Sequence, residues 1–340
     1  MSLSLLLISF LALLALELLY FQVAKHYNIV DRPSQRGSSD RVTLRGGGVV
    51  FFFGALIAFI LSGFSYPFFF AGLAIVAVVS FIDDIHSLSP KVRLLLQTAG
   101  VLLLLVQTAV PLVALGVWSP ESFNAHQWII VILYAMVGLV VVTGAVDIFN
   151  FMDGINGITG GYALTVLCAL GFAYHLAPSG GMVVYDGAIE QLIVIAVLAD
   201  LVFCFFNFRT RARCFAGDVG SISIAFIILF VLCSLCVNTE DLSWFTFLVV
   251  YGVDGCLTIV HRLMLNEDIT TPHRKHAYQI MANELHIPHV VVSVIYMALQ
   301  GLVNVVYFCW PGYATLALSV IVLSVAYVVF MKKFYRLHQC

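Results

Sequence analysis

Four aspartates sit in short polar segments cut into an otherwise apolar chain. Asp83 and Asp84 lie in FIDDIHSLSPKVR (81–93), Asp153 in DIFNFMDGINGITGG (147–161) and Asp218 in NFRTRARCFAGDVGS (207–221). Two further segments, DRPSQRGSSDRVTLRGGG (31–48) and NEDITTPHRKHAYQ (266–279), add arginines, lysines, glycines and the pair His273 and His276. Such a set suits a diphosphate substrate. Hard carboxylate oxygens hold Mg²⁺, which keeps part of its water and bridges phosphate oxygens. Arg, Lys and protonated His offset charge on a transferring phosphoryl group. Glycines let backbone N–H groups come close to phosphate. Each feature also has a plainer reading: an acid pair at a membrane edge is often a solvated helix end, and glycine runs are often turns. The recurrence of acids, bases and glycines together in the same set of loops favours chemistry. Nucleotide-binding motifs of other kinds are absent, with neither GxxxxGK[ST] nor a GxGxxG after a strand.

The elements that carry these residues must be membrane helices. Of 340 residues, 62% are hydrophobic and only 10% charged, more apolar surface than a water-soluble core can use. The net charge of −2 excludes a nucleic-acid partner, because no basic region is present to neutralise a phosphate strand. Apolar runs of spanning length fall at 2–24, 46–63, 65–81, 94–117, 128–146, 158–176, 189–208, 219–237, 244–262, 289–308 and 313–331, about eleven helices in one domain covering 1–340. The first run lacks the basic start and small-residue cleavage site of a secretory signal and is expected to be retained. Cys233 and Cys236 form a CxxC inside an apolar run, where packing is the better reading than metal.

Charge then orients the bundle. All 16 Lys and Arg fall in the connections after helices 1, 3, 5, 7 and 9 and in the C-terminal tail. The opposite loops carry Glu121, Asp186, Glu190, Glu240 and Asp241 instead. The positive-inside rule places the N-terminus outside and the C-terminus in the cytoplasm. All five polar segments then share the cytoplasmic face.

In their order and wording these segments resemble the polyprenyl-phosphate N-acetylhexosamine-1-phosphate transferases, bacterial glycosyltransferase family 4. The first is similar to the family's DxPNxRSSHxxPTPRGGG loop and the second to its Asp-Asp loop. NFMDGINGI and FAGDVGS match its NFMDGINGI and FMGDxGS segments, and HRKHAYQ its histidine motif. The HRKHAYQ form and Asn156 resemble the branch that initiates O-antigen or other surface polysaccharides. The muramoyl-pentapeptide branch has HxHHH and, at the position of Asn156, Asp.

The resemblance implies transfer of an N-acetylhexosamine 1-phosphate from a UDP-sugar such as UDP-GlcNAc to undecaprenyl phosphate, with release of UMP. It implies a multi-pass protein of the bacterial inner membrane whose site faces the cytoplasm, with Mg²⁺, or Mn²⁺ in its place, as cofactor. A homodimer is compatible with it. By the same resemblance Asp83, Asp84 and Asp153 are the catalytic acids, and Asp218 with Asp84 holds the metal. Arg45, Lys91, Asn150, Asn156, Asn207, His273, Arg274 and His276 bind substrate. His86 and Ser87 stand where a DDxxD pattern would supply its third acid, which weakens two-acid metal binding in that loop. The chief rival is a transporter or flippase of lipid-linked sugars. That class should place polar groups near the bilayer midplane on broken, repeated helices. Here only Glu17, Asp200 and Asp254 fall inside the expected spans away from their ends, and no repeat is visible.

Overall fold

The computed structural model describes residues 1–32, 41–114, 124–176, 187–268, 271 and 273–335. Twelve α-helices run through it: α1 (Leu3–His26), α2 (Val49–Leu61), α3 (Pro67–Ile85), α4 (Pro90–Ala114), α5 (Ala125–Met152), α6 (Ile158–Leu176), α7 (Gly187–Asn207), α8 (Gly217–Thr239), α9 (Val249–Met264), α10 (Ala277–Asn283), α11 (His289–Cys309) and α12 (Tyr313–Met331). Among the described residues ten membrane-length apolar segments result, because a 3₁₀ turn over Leu242–Leu248 completes the span that α9 continues. Lengths of about 20 residues match a hydrocarbon core of about 30 Å.

The eleventh expected span is shorter than its sequence suggested. Gly46 to Gly48 lie outside α2, which has 13 residues and therefore a length of about 20 Å. Gly48 has another task, since a Cβ there would come within 2.2 Å of the Gly220 Cα in α8. The two glycines let a loop and a helix touch backbone to backbone.

α8 forms the centre of the bundle. Its residues from Val219 to Cys236 are all buried, as expected of a helix apolar on every side. α2, α3, α4, α5, α6 and α7 pack around it. α12 and the first half of α5 are instead studded with exposed Val, Leu and Ile, the pattern of a lipid-facing surface. A two-stranded antiparallel ribbon pairs Val30–Asp31 (β1) with Thr43–Leu44 (β2). Leu44 also bridges to Cys214, which ties the first polar loop to the fourth.

Candidate active site

The five polar segments meet at one end of the bundle. Arg45 leaves β2 with its carbonyl held by the Tyr20 hydroxyl of α1 at 2.5 Å. Its guanidinium reaches Asp84 Oδ1 at 2.6 Å and Asp218 Oδ1 at 3.4 Å. Asn150, in the last turn of α5, donates to Asp218 Oδ1 at 3.1 Å and to the Ser221 hydroxyl at 3.0 Å. Asp147 and Asn150 are thus helical, although the sequence reads as a loop from 147 onward; Gln97 of α4 meets Asp147 at 2.8 Å and lets a carboxylate stay in the helix.

Asp84 ends α3 as a splint. Its carboxylate accepts the backbone N–H groups of Asp218 at 2.9 Å and Val219 at 3.0 Å, in addition to Arg45. Those are N–H groups at the start of α8 that have no partner within the helix, so Asp84 caps a neighbouring helix and sits where its dipole favours negative charge. Gly217 makes the approach feasible: its φ is +69° and a Cβ there would fall 2.6 Å from Asp84 Oδ2. The Asp84 side chain is fully buried.

Asp83 faces the other way. It takes the Leu88 N–H at 2.6 Å and lies 3.3 Å from Arg93, and its carboxylate comes within hydrogen-bonding reach of that of Asp218. Arg93 is also 3.9 Å from Asp218. Of the two cations in PKVR, Arg93 reaches the acids while Lys91 lies exposed. Two residues apart on a helix are about 200° apart around its axis, so only one of them can face the site.

A cavity of about 200 Å³ opens beside these groups, lined among others by Asp31, Arg45, Asn150, Asp153, Asn156, Asn207, Phe215, Asp218 and His289. Asp153 caps the end of α5 and accepts from the Thr159 hydroxyl. Burial, with repulsion from Asp218 and Asp84 added, pushes its carboxyl up to about 7 against the opposing Thr159 hydrogen bond. Asn156 and Asn207 act as clamps. Asn156 donates to the carbonyls of Arg209 (3.0 Å) and Thr210 (3.2 Å), while Asn207 accepts from Gly157 N–H (2.7 Å) and donates to the Cys214 carbonyl (2.8 Å).

The histidine segment stands apart from the acids. It leads into α10 and packs on the third polar loop, with the Tyr278 hydroxyl donating to the Phe151 carbonyl at 2.8 Å. His273 is pushed down to about 3, chiefly by burial and then by the charges of His276 and Arg262, so it is neutral at physiological pH. Arg274 pairs with Glu284 at 3.7 Å.

Sequence reasoning missed Arg93, Asp31, Ser221, Phe215 and His289. Arg93, Asp31, Phe215 and Ser221 lie inside the quoted polar segments and carried that signal, whereas His289 lies outside them and reaches the site through tertiary packing. Among the described residues no three His, Cys, Asp or Glu side chains converge as a ready metal cage. The Asp83–Asp218 carboxylate pair still fits Mg²⁺, which uses one or two protein carboxylates and completes its shell with water and phosphate oxygens.

The family model for glycosyl transferase family 4 matches residues 66–236, half of the chain and the part that contains Asp83, Asp84, Asp153 and Asp218. The chain belongs to glycosyl transferase family 4. This family 4 chain is similar to a probable undecaprenyl-phosphate N-acetylglucosaminyl 1-phosphate transferase of Bacillus subtilis (strain 168), 27% identical over 280 residues, covering 80% of this chain and 74% of the relative. It also resembles the undecaprenyl-phosphate alpha-N-acetylglucosaminyl 1-phosphate transferases of Yersinia pestis and Escherichia coli (strain K12). Each is 24% identical over 267 residues, covering 76% of this chain and 71% of the relative.

Proposed function

We propose that this family 4 protein transfers an N-acetylhexosamine 1-phosphate, with UDP-GlcNAc or a close relative as donor, to undecaprenyl phosphate. The lipid phosphate oxygen attacks the β-phosphorus of the donor. The bond from that phosphorus to the bridging oxygen breaks, UMP leaves with the α-phosphate, and the lipid carries a diphosphate-linked sugar. The observation that carries this reading is the cavity in which Asp153, Asp218, Asn150 and Arg45 meet, lined by the first, third and fourth polar segments. The relatives' names support the same acceptor and sugar class.

This chain's own groups divide the work. Arg45 and Arg93 offset phosphate charge from two sides of Asp218. Asn150 orients Asp218, and Asp84 fixes the start of α8 on which Asp218 sits. Asp153 is the group placed to receive or hold a proton near neutral pH. Asp218 and Asp83 would hold Mg²⁺, in place of the expected Asp218–Asp84 pair because the Asp84 oxygens are taken by Arg45 and two α8 N–H groups, and the ion would supply charge neutralisation between the two anions. The loops face the cytoplasm, as the Lys and Arg distribution indicates, and the membrane is the bacterial inner membrane. The lipid product starts O-antigen or another surface polysaccharide, a role favoured by the HRKHAYQ form of the histidine segment.

Purified protein given a panel of UDP-N-acetylhexosamines should release UMP only when undecaprenyl phosphate and Mg²⁺ are both present. Release of UDP, or UMP release without the lipid phosphate, would overturn the reading.

A further inference from the structure

Asp254 is a carboxylate inside a membrane-length segment, yet it is surrounded by donors. Its oxygens accept the backbone N–H groups of Ala277 (3.0 Å) and Tyr278 (3.4 Å) and the hydroxyls of Tyr296 (2.5 Å) and Thr258 (3.1 Å). His276 Nδ1 lies 3.3 Å from its Oδ1. An acid in such a place is costly unless it is well paired. Five donors from α9, α10, α11 and the His276 side chain meet that cost, and they lock those elements together. His276 Nε2, by contrast, is buried and has no partner among the described residues. A buried polar atom left without a partner calls for an explanation.

The connections continue toward the reaction cavity. Tyr278 sits two residues after His276, and its hydroxyl holds the Phe151 carbonyl. The same ring covers the backbone at Gly154, which lines the cavity beside Asp153. The Asp254 carboxylate therefore governs two things: which ring nitrogen of His276 is occupied, and where the backbone next to Asp153 rests.

We propose that Asp254 is a positioning residue for this site, fastening the histidine segment to α9 with the His276 proton on Nδ1 and setting the 151–154 backbone through Tyr278. Nε2 is then the acceptor nitrogen of the ring, open to a proton or a donor group. This role rests on the phosphosugar-transferase reading for its catalytic consequence, but the geometry can be tested without turnover.

The test combines both. In ¹⁵N-histidine NMR of the full protein without substrate, assigned with His276→Gln, the His276 signals should show the Nδ1-protonated form, and Asp254→Asn should abolish that signature. Turnover of Asp254→Asn should fall about 10–100-fold, as for groups that orient a functional residue from behind. Asp254→Asn combined with His276→Ala should be no slower than His276→Ala alone, because both remove one unit. Tyr296→Phe removes one hydroxyl and keeps the ring; it should shift the His276 signals the same way and lower turnover less. Unchanged His276 signals in Asp254→Asn and Tyr296→Phe, or losses that multiply in the double variant, would overturn the proposal. A lost signature in a chain that transfers no phosphosugar would uphold the geometry and discard the functional reading.

Discussion

Asp84 and Asp200 are both aspartates buried on helices of one bundle, and the protein treats them differently. Asp84 receives Arg45 and two backbone N–H groups of α8. Asp200, in the middle of α7, meets the Cys204 thiol at 3.6 Å, and its Oδ2 has no partner among the described residues. Glu17 of α1 resembles Asp200: it meets the Cys214 thiol at 3.8 Å, and its Oε2 has no partner among the described residues. A buried carboxylate ringed by donors becomes a fixed point from which other elements are hung. One without them is a group the bundle tolerates. The difference separates acids that build the site from acids that merely lie near it.

The sharpest test is at Asp218, which the fixed points exist to hold. Asp218→Asn should lower Mg²⁺-dependent transfer by about 10²–10³-fold, the scale of removing one preorganised charge partner, while the variant still inserts and remains monodisperse. Next comes Asp84→Asn, which replaces one acceptor oxygen with a donor that opposes the α8 N–H groups. A loss of about 10–100-fold is expected, accompanied by weaker Mg²⁺ dependence, because the carboxylate it aims is Asp218. Full Mg²⁺-dependent turnover in Asp84→Asn would erase the contrast with Asp200.

The pair in PKVR gives a smaller and more local effect. Arg93→Ala should cost about tenfold, the size of one charge-assisted contact near phosphate, whereas Lys91→Ala should stay within about twofold, like other exposed substitutions. Equal losses would mean that both cations reach the substrate.

Asp153 adds a dependence on pH. Burial pushes its carboxyl up to about 7 in the fold, from an ordinary 3.8. Between those values the folded chain holds a proton that the unfolded chain has released. The stability this contributes is fully present below pH 3.8 and is lost as pH rises through about 7. Thermal unfolding of chelator-treated, substrate-free protein should therefore move to lower temperature between pH 5 and pH 8. Asp153→Asn should flatten that slope. Smallest of all is Asp200→Asn, for which transfer should stay within about twofold and the melting temperature should not fall.

Much of this was legible in the sequence where composition changes sharply. The α6 and α12 runs end at polar or turn residues, and their expected spans agree with the structure to within a residue. That the five polar segments share one face also followed from the spacing of the apolar runs and the charge between them. What could not be read was contact between distant parts of the chain. Gly46 to Gly48 count as apolar in any window, and only their approach to Gly220 explains why α2 begins after them. Asp147 looks like a loop residue until Gln97 of another helix is seen beside it. The sequence marks Asp84 as an acid of the site, but its role as a cap depends on where α8 begins. Lys91 and Arg93 differ only in helical phase, which is set by a helix start at Pro90.

α2 has a further effect, on the surrounding lipid. At about 20 Å it falls roughly 10 Å short of a hydrocarbon core of about 30 Å. Its link to α3 (62–66) therefore lies within the depth that acyl chains would otherwise fill. That turn satisfies itself: Ser62 donates to the Phe59 carbonyl, and Ser65 bonds Ser62 through both its N–H and its hydroxyl. A shorter span can be met by local thinning of the bilayer, and thinning next to α2 would make short or disordered lipid chains the preferred neighbours there.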